Sequence, residues 1–469
     1  MDTNSNQIRG RLARFGRTVI GFARRMTRDE GGASAVFFAV ALLMLTPMTL
    51  GLVDVYISTT QRGQLQDALD TATLYAARSS ATTTAEIDSI GDAALIANLV
   101  LPEGENIVES NFVLDGVKVV SSAAITPPGI SPQIWNQQNL RATSEVVRNS
   151  NHVEVALVLD TTGSMSGQKL TDMKTAAKDL VDIVVQDIQT PYYSKMAIVP
   201  YSMAVNVSST YANSVRGTPK SGTNPTGGTN TSPPYSKFKF TKNDGTVLTN
   251  TSAWPINTCV TERTGANAYT DVAPSTALVG HNYQSSTSAC TAVSAIEPLS
   301  TNKTTLKNKI NGFTATGVTA GHIGLAWGWY MVSPNFAYLW PTASRPAAYG
   351  TDDLLKVVIL MTDGEFNTQY CKGVVSREST GNGNSEKINC NASNGSAFTQ
   401  AKTLCTNMKA QGVIVYTVGF ALGGNASAVD VMNSCATDEK HVYLPGSGAA
   451  LKDAFKAIGQ DINSLRLAK

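Results

Sequence analysis

The sequence is poor in the side chains that bind zinc or carry out hydrolysis. Its 469 residues include four histidines and six cysteines, and no two cysteines are spaced C-x-x-C. The histidines are scattered along the chain, so a zinc site is not expected. The sequence also lacks a phosphate loop, a G-x-G-x-x-G segment, an H-E-x-x-H motif and a G-x-S-x-G elbow. We therefore predict that the protein is not an enzyme.

Charged residues are also few, and they are unevenly distributed. They make up 15% of the chain, and the net charge is +2. Residues 1–30 contain seven arginines against Asp2, Asp29 and Glu30, which gives this segment a net charge of +4 and leaves −2 for the rest. The bulk of the chain is nearly neutral, so no nucleic-acid partner is expected.

Cysteine is absent before residue 259. All six cysteines lie between Cys259 and Cys435. An even number in an exported region is typical of disulfides. Six cysteines allow fifteen pairings. Nearest-neighbour pairing along the chain is our guess, because the spacing does not determine it.

One long uncharged hydrophobic run follows the arginine-rich segment. It covers residues 33–53, and as a helix it would span roughly 31 Å, close to the hydrocarbon core of a bilayer at about 30 Å. The preceding arginines predict a cytoplasmic N-terminus. A cleaved signal peptide is the alternative, but its apolar region usually has only about 7–15 residues. We predict a cytoplasmic basic segment (1–32), a single inner-membrane helix (33–53) and a periplasmic remainder (54–469).

Residues 54–150 have the pattern of a small α+β region. Helical spacing continues from the hydrophobic run to about Arg78, and a second helical run covers residues 85–100. Strand-like runs follow at Ile107–Leu114 and Val117–Ile125, joined by Asp115-Gly116, which favours a hairpin turn. A further strand is predicted at Leu140–Val147. We predict a helical stalk with a small β region.

The next stretch, Val153–Ser166, combines a buried strand with a candidate metal-binding loop. Its apolar run is typical of a strand that is buried on both faces of a parallel sheet. The run ends at Asp160, and Thr162 and Ser164 follow in Asp-x-Thr-x-Ser spacing. These oxygen ligands suit a hard divalent cation. A helix is predicted over residues 168–188.

Two later stretches repeat this arrangement. Thr319 precedes an apolar helix, and the strand run at Lys356–Leu360 leads into Thr362-Asp363-Gly364. Strands and helices then alternate to the end of the chain, which predicts an α/β fold with a parallel sheet covered on both faces. Sites in such folds lie beyond the carboxyl ends of the strands. The alternative is that the Asp-Thr-Thr-Gly and Thr-Asp-Gly segments are only turns, because Asp and Gly satisfy turn geometry.

Together these segments resemble the metal-ion-dependent adhesion site of von Willebrand factor A (vWA) domains. The matching residues are Asp160, Thr162, Ser164, Thr319 and Asp363, with Thr162 in place of the commoner serine. The resemblance implies a doubly wound, Rossmann-like vWA domain over residues 151–469 that binds Mg²⁺ or Mn²⁺, with Ca²⁺ also possible. It implies direct metal contacts from Thr162 and Ser164, a direct or water-mediated contact from Thr319, and mostly water-mediated contacts from both aspartates.

Two segments depart from the compact vWA pattern. Residues 208–300 are rich in Ser, Thr, Asn, Gly and Pro, and residues 367–396 follow the Asp363 loop directly. A loop as long as the first is either functional or disordered. We predict that both are insertions and that the second lies at the rim of the metal site.

The N-terminal part resembles the TadE/TadG proteins of the tight-adherence (Tad/Flp) pilus system of bacteria. The resemblance lies in R-D-E-G-G-A-S-A-V-F-F-A, the hydrophobic span ending at Asp54, and Q-L-Q-D-A-L-D at residues 64–70. Pilin-like members carry a glutamate five residues after the glycine of a peptidase site, where this chain has Phe37. The resemblance therefore favours a TadG-like protein that keeps its membrane anchor.

These features lead to one main function and one alternative. The main hypothesis is an inner-membrane component of a pilus-assembly or secretion system, whose vWA domain binds a protein partner through an acidic residue that completes the metal site. The alternative is a surface adhesin for a host or matrix ligand, which a retained membrane helix disfavours. A metal-dependent hydrolase comes third, because it would need a general base that we do not find.

Overall fold

The computed structural model describes residues 30–467, except for residues 80, 82, 103, 116–117, 127–138, 148–150, 225–231, 243–244, 247–252, 285–289, 291–292 and 378–389, and it describes no side chain at residues 30–33 or 466–467. Most of the predicted cytoplasmic segment therefore lies outside the described residues. Contacts divide the chain into two compact units, Met1–Arg148 and Asn149–Lys469.

The described part of unit 1 contains two helices and a three-stranded antiparallel sheet. The elements are α1 (Glu30–Arg78), α2 (Thr84–Asn98), β1 (Ile107–Asp115), β2 (Lys118–Ile125) and β3 (Leu140–Val147). The strand order is β1-β2-β3, and Asp115 pairs with Lys118. The predicted antiparallel pairing is confirmed, whereas the second turn residue lies outside the described residues.

The two halves of α1 have different surroundings. Its C-terminal half packs on the sheet and α2 through Leu65, Leu69 and Ala72, which are fully buried. Its N-terminal half is exposed, including Phe37 at 77%. This helix is long and apolar enough to cross a membrane. Exposed apolar side chains at this density are what a membrane span requires.

Unit 2 is a mixed α/β domain. Its strands are β4 (His152–Asp160), β5 (Ser194–Tyr201), β6 (Val205–Asn206), β7 (Lys220–Asn224), β8 (Tyr235–Phe238), β9 (Trp254–Thr261), β10 (Gly280–Tyr283), β11 (Glu297–Ser300), β12 (Leu354–Thr362), β13 (Tyr370–Cys371), β14 (Val374–Val375), β15 (Ile414–Gly419) and β16 (Val442–Tyr443). Its helices are α3 (Gln168–Val184), α4 (Ser208–Arg216), α5 (Lys303–Asn311), α6 (Gly321–Val332), α7 (Ala397–Ala410), α8 (Ala426–Cys435) and α9 (Gly448–Leu467).

The main sheet has six strands in the order β11-β5-β4-β12-β15-β16. All neighbours are parallel except β11, which runs antiparallel to β5. Alternate residues of β4 enter different cores. Val155 and Leu157 pack with α3, α5 and α9, whereas Ala156 and Val158 pack with α6, α7 and α8. Helices thus cover both faces, and the predicted α/β fold class is confirmed.

Helix α6 lies unusually close to the sheet because glycines form its contact face. A Cβ atom added at Gly328 would lie 2.5 Å from Val158, and one at Gly324 would lie 2.5 Å from Tyr201. Real Cβ atoms do not approach other atoms so closely, so these positions require glycine as long as the helix keeps this distance from the sheet. The close approach fixes the start of α6, just after Thr319, against the end of β5.

A buried ion pair joins the two central strands near their N-terminal ends. Lys356 lies opposite Glu154 in the β12–β4 register, and its Nζ is 2.5 Å from Glu154 Oε2. Lys356 Nζ also donates to Val332 O at 2.8 Å. Glu154 Oε1 accepts hydrogen bonds from Ala347 N and the Tyr193 hydroxyl. Both charges are therefore buried with several partners.

The first polar segment is folded over much of its length. Strands β7, β8, β9 and β10 form a small sheet, and β6 pairs with β9. Phe238, Phe240 and Tyr283 form a small core there with Cys371 and Val374 of the second segment. The hydrogen bond from Tyr283 N to Gly373 O, at 2.9 Å, joins the two. Part of the first segment, β11, belongs to the main sheet.

All six cysteines are paired in disulfides. The pairs are Cys259–Cys290, Cys371–Cys390 and Cys405–Cys435. The nearest-neighbour pairing is therefore confirmed. The first two bridges lie in the polar segments, and the third joins α7 to α8. Disulfides stabilise the folded state mainly by lowering the conformational entropy of the unfolded chain. This contribution matters most where apolar residues are few.

Candidate metal-binding site

Asp160, at the carboxyl end of β4, is fully buried and held by three donors. Its Oδ1 accepts from Thr162 N at 2.9 Å. Its Oδ2 accepts from the Thr362 hydroxyl at 2.9 Å and from the Tyr201 hydroxyl at 3.1 Å. Tyr201 lies directly opposite Asp160 in the β4–β5 register. The carboxylate is therefore oriented by both neighbouring strands.

A chain of hydrogen bonds connects the first loop to the third. The Ser164 hydroxyl donates to Asp363 Oδ1 at 2.6 Å. Since a hydroxyl has one hydrogen, the 2.9 Å contact between Thr162 Oγ1 and Ser164 Oγ has Thr162 as the donor. Thr162 and the Asp363 side chain are buried, whereas Ser164 is exposed. Four predicted site residues thus form one cluster that is open to solvent at Ser164.

Burial and a neighbouring carboxylate change the ionisation of Asp160. Burial, and then the nearby Asp363 carboxylate, raise the pKa of Asp160, whereas the hydrogen bonds from Thr162 and Thr362 lower it. Burial and the Asp160 charge raise the pKa of Tyr201, so its hydroxyl stays protonated and donates. Lys169 Nζ lies 2.8 Å from Asp363 Oδ2 and supplies a positive charge at this edge.

Thr319 lies in a loop that is bonded to both of the other loops. Gly163 N donates to Gly317 O at 3.0 Å, and Thr316 N donates to Thr161 O at 2.9 Å. On the other side, Thr319 N donates to Asn367 Oδ1 at 3.0 Å and Asn367 N donates back to Thr319 O at 2.9 Å. Across the described part of the chain, the Thr319 hydroxyl makes no hydrogen bond to the other four site residues.

The donor set fits a hard divalent cation. It contains only oxygen atoms, from two carboxylates and from neutral hydroxyls, as Mg²⁺ and Mn²⁺ prefer. Among the described residues, no group of three or more His, Cys, Asp or Glu side chains is placed to hold a metal. A site here would therefore depend on the hydroxyls of Thr162, Ser164 and Thr319 as well as on the two aspartates.

Four residues that position this cluster were not predicted from the sequence. Tyr201 and Thr362 hold Asp160, Asn367 holds the Thr319 loop, and Lys169 pairs with Asp363. Thr362 belongs to the Thr-Asp-Gly segment, so the motif could have identified it as a site residue. Tyr201 is the last residue of β5, and only the strand register shows that it faces Asp160.

No protein-family model and no curated protein matches this chain. Among solved structures, the vWF domain of the type V pili tip protein Mfa5 from Porphyromonas gingivalis has a TM-score of 0.38 and 14% identity, over 68% of this chain and 97% of that one. The pilus adhesin SpaC from Lactobacillus rhamnosus GG has a TM-score of 0.35 and 13% identity, over 78% of this chain and 36% of that one.

A third similar structure is proximal thread matrix protein 1 from the mussel byssus, with a zinc-occupied MIDAS motif. Its TM-score is 0.30 and its identity 15%, over 68% of this chain and 47% of that one. Similarities at these low values carry no information about the function of the chain.

Proposed function

We propose that this chain is a TadG-like, membrane-anchored component of a Tad/Flp-type pilus-assembly or secretion system, and that its vWA domain binds a partner protein through a divalent cation. The observation that carries this proposal is the cluster of Asp160, Thr162, Ser164 and Asp363 at the carboxyl edge of the sheet. The three loops that meet there are the ones whose motifs resemble the vWA site.

The ligand types explain why such a site would attract an acidic partner. Neutral hydroxyls coordinate a cation without cancelling its charge. A glutamate or aspartate from a partner is then a favourable last ligand. Ser164, the exposed member of the cluster, marks the side from which a partner would approach. When bound, the cation would supply the attraction, while the protein fixes the position of the ligands.

We propose the following arrangement in the cell. Residues 1–32 are cytoplasmic, residues 33–53 form the inner-membrane anchor, residues 54–150 form a TadE/TadG-like stalk with a small β region, and residues 151–469 form the periplasmic vWA domain with insertions at 208–300 and 367–396. The long apolar helix and the three disulfides support it, because disulfides persist in oxidising compartments.

Thiol labelling tests this arrangement. Protein trapped from cells, denatured without reduction and treated with a maleimide should carry no label, because every cysteine is paired. The same protein reduced beforehand should carry six labels, one for each cysteine in the chain. Six labels without prior reduction would show that the domain stays in a reducing compartment.

Affinity capture from solubilised membranes tests the binding function. Wild-type protein should retain a partner in Mg²⁺ or Mn²⁺ and lose it in EDTA, and Asp160→Asn should lose it in both. Asp187→Ala removes an aspartate with an 88% exposed side chain and should behave as wild type. Capture that is the same with EDTA and in Asp160→Asn would contradict metal-mediated binding. A partner that proves to be a host or matrix molecule would instead favour a surface adhesin.

A further inference from the structure

A lysine is paired with one of the two aspartates of the candidate metal site. Lys169 Nζ lies 2.8 Å from Asp363 Oδ2. The Asp363 side chain is fully buried, whereas 35% of the Lys169 side chain is exposed. Ser164 occupies the other carboxylate oxygen. The ammonium therefore lies on a carboxylate that a bound cation would use.

The position of Lys169 in its helix is unfavourable by itself. It is the second residue of α3, and no acidic residue lies in the first turn of that helix. A helix N-terminus carries partial positive charge and favours anions. The next two lysines of α3, Lys174 and Lys178, bond to Asn311, away from the site. The Asp363 carboxylate is thus what stabilises a lysine at this place.

We propose that Lys169 is an internal cation that competes with the metal for Asp363. This proposal rests on the proposed metal-binding function. With Lys169 in place, the two carboxylates and the ammonium give a net charge of −1, and a divalent cation would raise it to +1. Without Lys169, the same cation would bring the site from −2 to neutrality. Lys169 therefore lowers the affinity for metal and leaves the loaded site with a surplus positive charge.

This surplus has a consequence for partner choice. The loaded site remains positive on its exposed side, where Ser164 and part of the Lys169 side chain are accessible. An acidic partner group would neutralise the excess and pair with the displaced ammonium. Metal and acidic partner would thus strengthen each other's binding, and metal alone would bind weakly.

Titration calorimetry with Mn²⁺ on the full-length protein in detergent tests the competition. We expect the neutral variants Lys169→Met and Lys169→Gln to bind Mn²⁺ about tenfold more tightly than wild type. The repulsion between the single positive charge of the lysine and the double positive charge of the metal, about 5 Å apart in water, corresponds to roughly this factor. Lys169→Arg should remain near wild type, because it keeps the charge. Lys174→Met, on the same helix, should have no effect.

The possible results separate this proposal from the metal site itself. Equal or weaker Mn²⁺ binding by both neutral variants would overturn the competition and leave the metal-binding function intact. If only the neutral variants bind Mn²⁺, the competition is supported in its strongest form, because Lys169 then prevents metal binding in the wild type. Absence of binding in every protein would overturn both. Unfolding scans in EDTA show whether each variant is folded. If one of the two neutral variants does not fold, the other one is enough for the test.

Discussion

Lys356→Met should lower the free energy of unfolding of unit 2 by about 3–5 kcal/mol, the cost of leaving one partner of a buried ion pair uncompensated. The variant keeps a side chain of similar length but removes the charge opposite Glu154, whose side chain is fully buried. Glu154 would retain its bonds from Ala347 and Tyr193, which are too few to solvate a buried carboxylate. The pKa of Lys356 is lowered by burial, although Glu154 opposes this shift.

Urea unfolding of the full-length protein, followed by tryptophan fluorescence, measures this effect. Trp327, Trp329 and Trp340 are buried in unit 2 and report its unfolding. Lys303→Met is the matched control. It removes a lysine paired with Asp187 at the surface, where such pairs contribute about 0–1 kcal/mol. Equal losses in the two variants would show that the Glu154–Lys356 pair is not a buried charge pair in solution.

A double variant separates charge from packing. Glu154→Gln together with Lys356→Met removes both charges and keeps most of the volume. We expect it to be less destabilised than the sum of the two single variants, because neither charge is then left alone. If the loss of unfolding free energy in the double variant equals the sum of the losses in the two single variants, the two side chains do not interact.

Metal should stabilise wild-type protein and leave Asp160→Asn nearly unchanged. At about 100 times its dissociation constant, Mg²⁺ or Mn²⁺ should add about 2.7 kcal/mol to the free energy of unfolding. The variant loses one of the two carboxylates, but it keeps one oxygen that can accept from Thr362 and Tyr201. Asp160→Ala would leave these buried hydroxyls without that acceptor, so asparagine is the better test of binding.

Without metal, Asp160→Asn should be close to wild type in stability at pH 8. The pKa of Asp160 is raised in the folded protein, so ionisation of this group disfavours folding at high pH, and that penalty disappears as the pH falls and the group is protonated. Removing the charge offsets the loss of the hydrogen bond from Thr162 N. Thermal unfolding with EDTA or with millimolar metal gives both quantities, with Asp187→Ala as control. Equal metal shifts in wild type and Asp160→Asn would show that the ion binds elsewhere.

The sequence predicted the parts of the fold that depend on local pattern. The apolar runs ending at Asp160 and Thr362 are strands because side chains on both of their faces are buried, which leaves a continuous signal. The helix predicted over residues 168–188 ends at Val184 instead. Gln186 N bonds to the Ser194 hydroxyl, which takes the chain into β5, and no local signal marks that contact.

Features that depend on strand register were out of reach. Glu154 interrupts an apolar run, and the sequence gives no sign of its partner. Only the pairing of β12 with β4 places Lys356 opposite it. Tyr201 and Asp160 become neighbours only through the pairing of β4 with β5. Composition was also a poor guide to the first polar segment, because its few apolar residues are scattered in the sequence but buried together in the fold. Phe238, Phe240 and Tyr283 form a small core, and the Cys259–Cys290 bridge links two parts of the segment.

The three disulfides also limit how far unit 2 can lengthen under force. They close segments with sequence separations of 31, 19 and 30 residues, which a pull on the two ends of the unit cannot straighten. At about 3.3–3.6 Å per extended residue, roughly 270 Å of contour length stays out of reach. An unfolding domain would therefore extend about a quarter less than its residue number suggests, and a load transmitted through it would be released over a shorter distance.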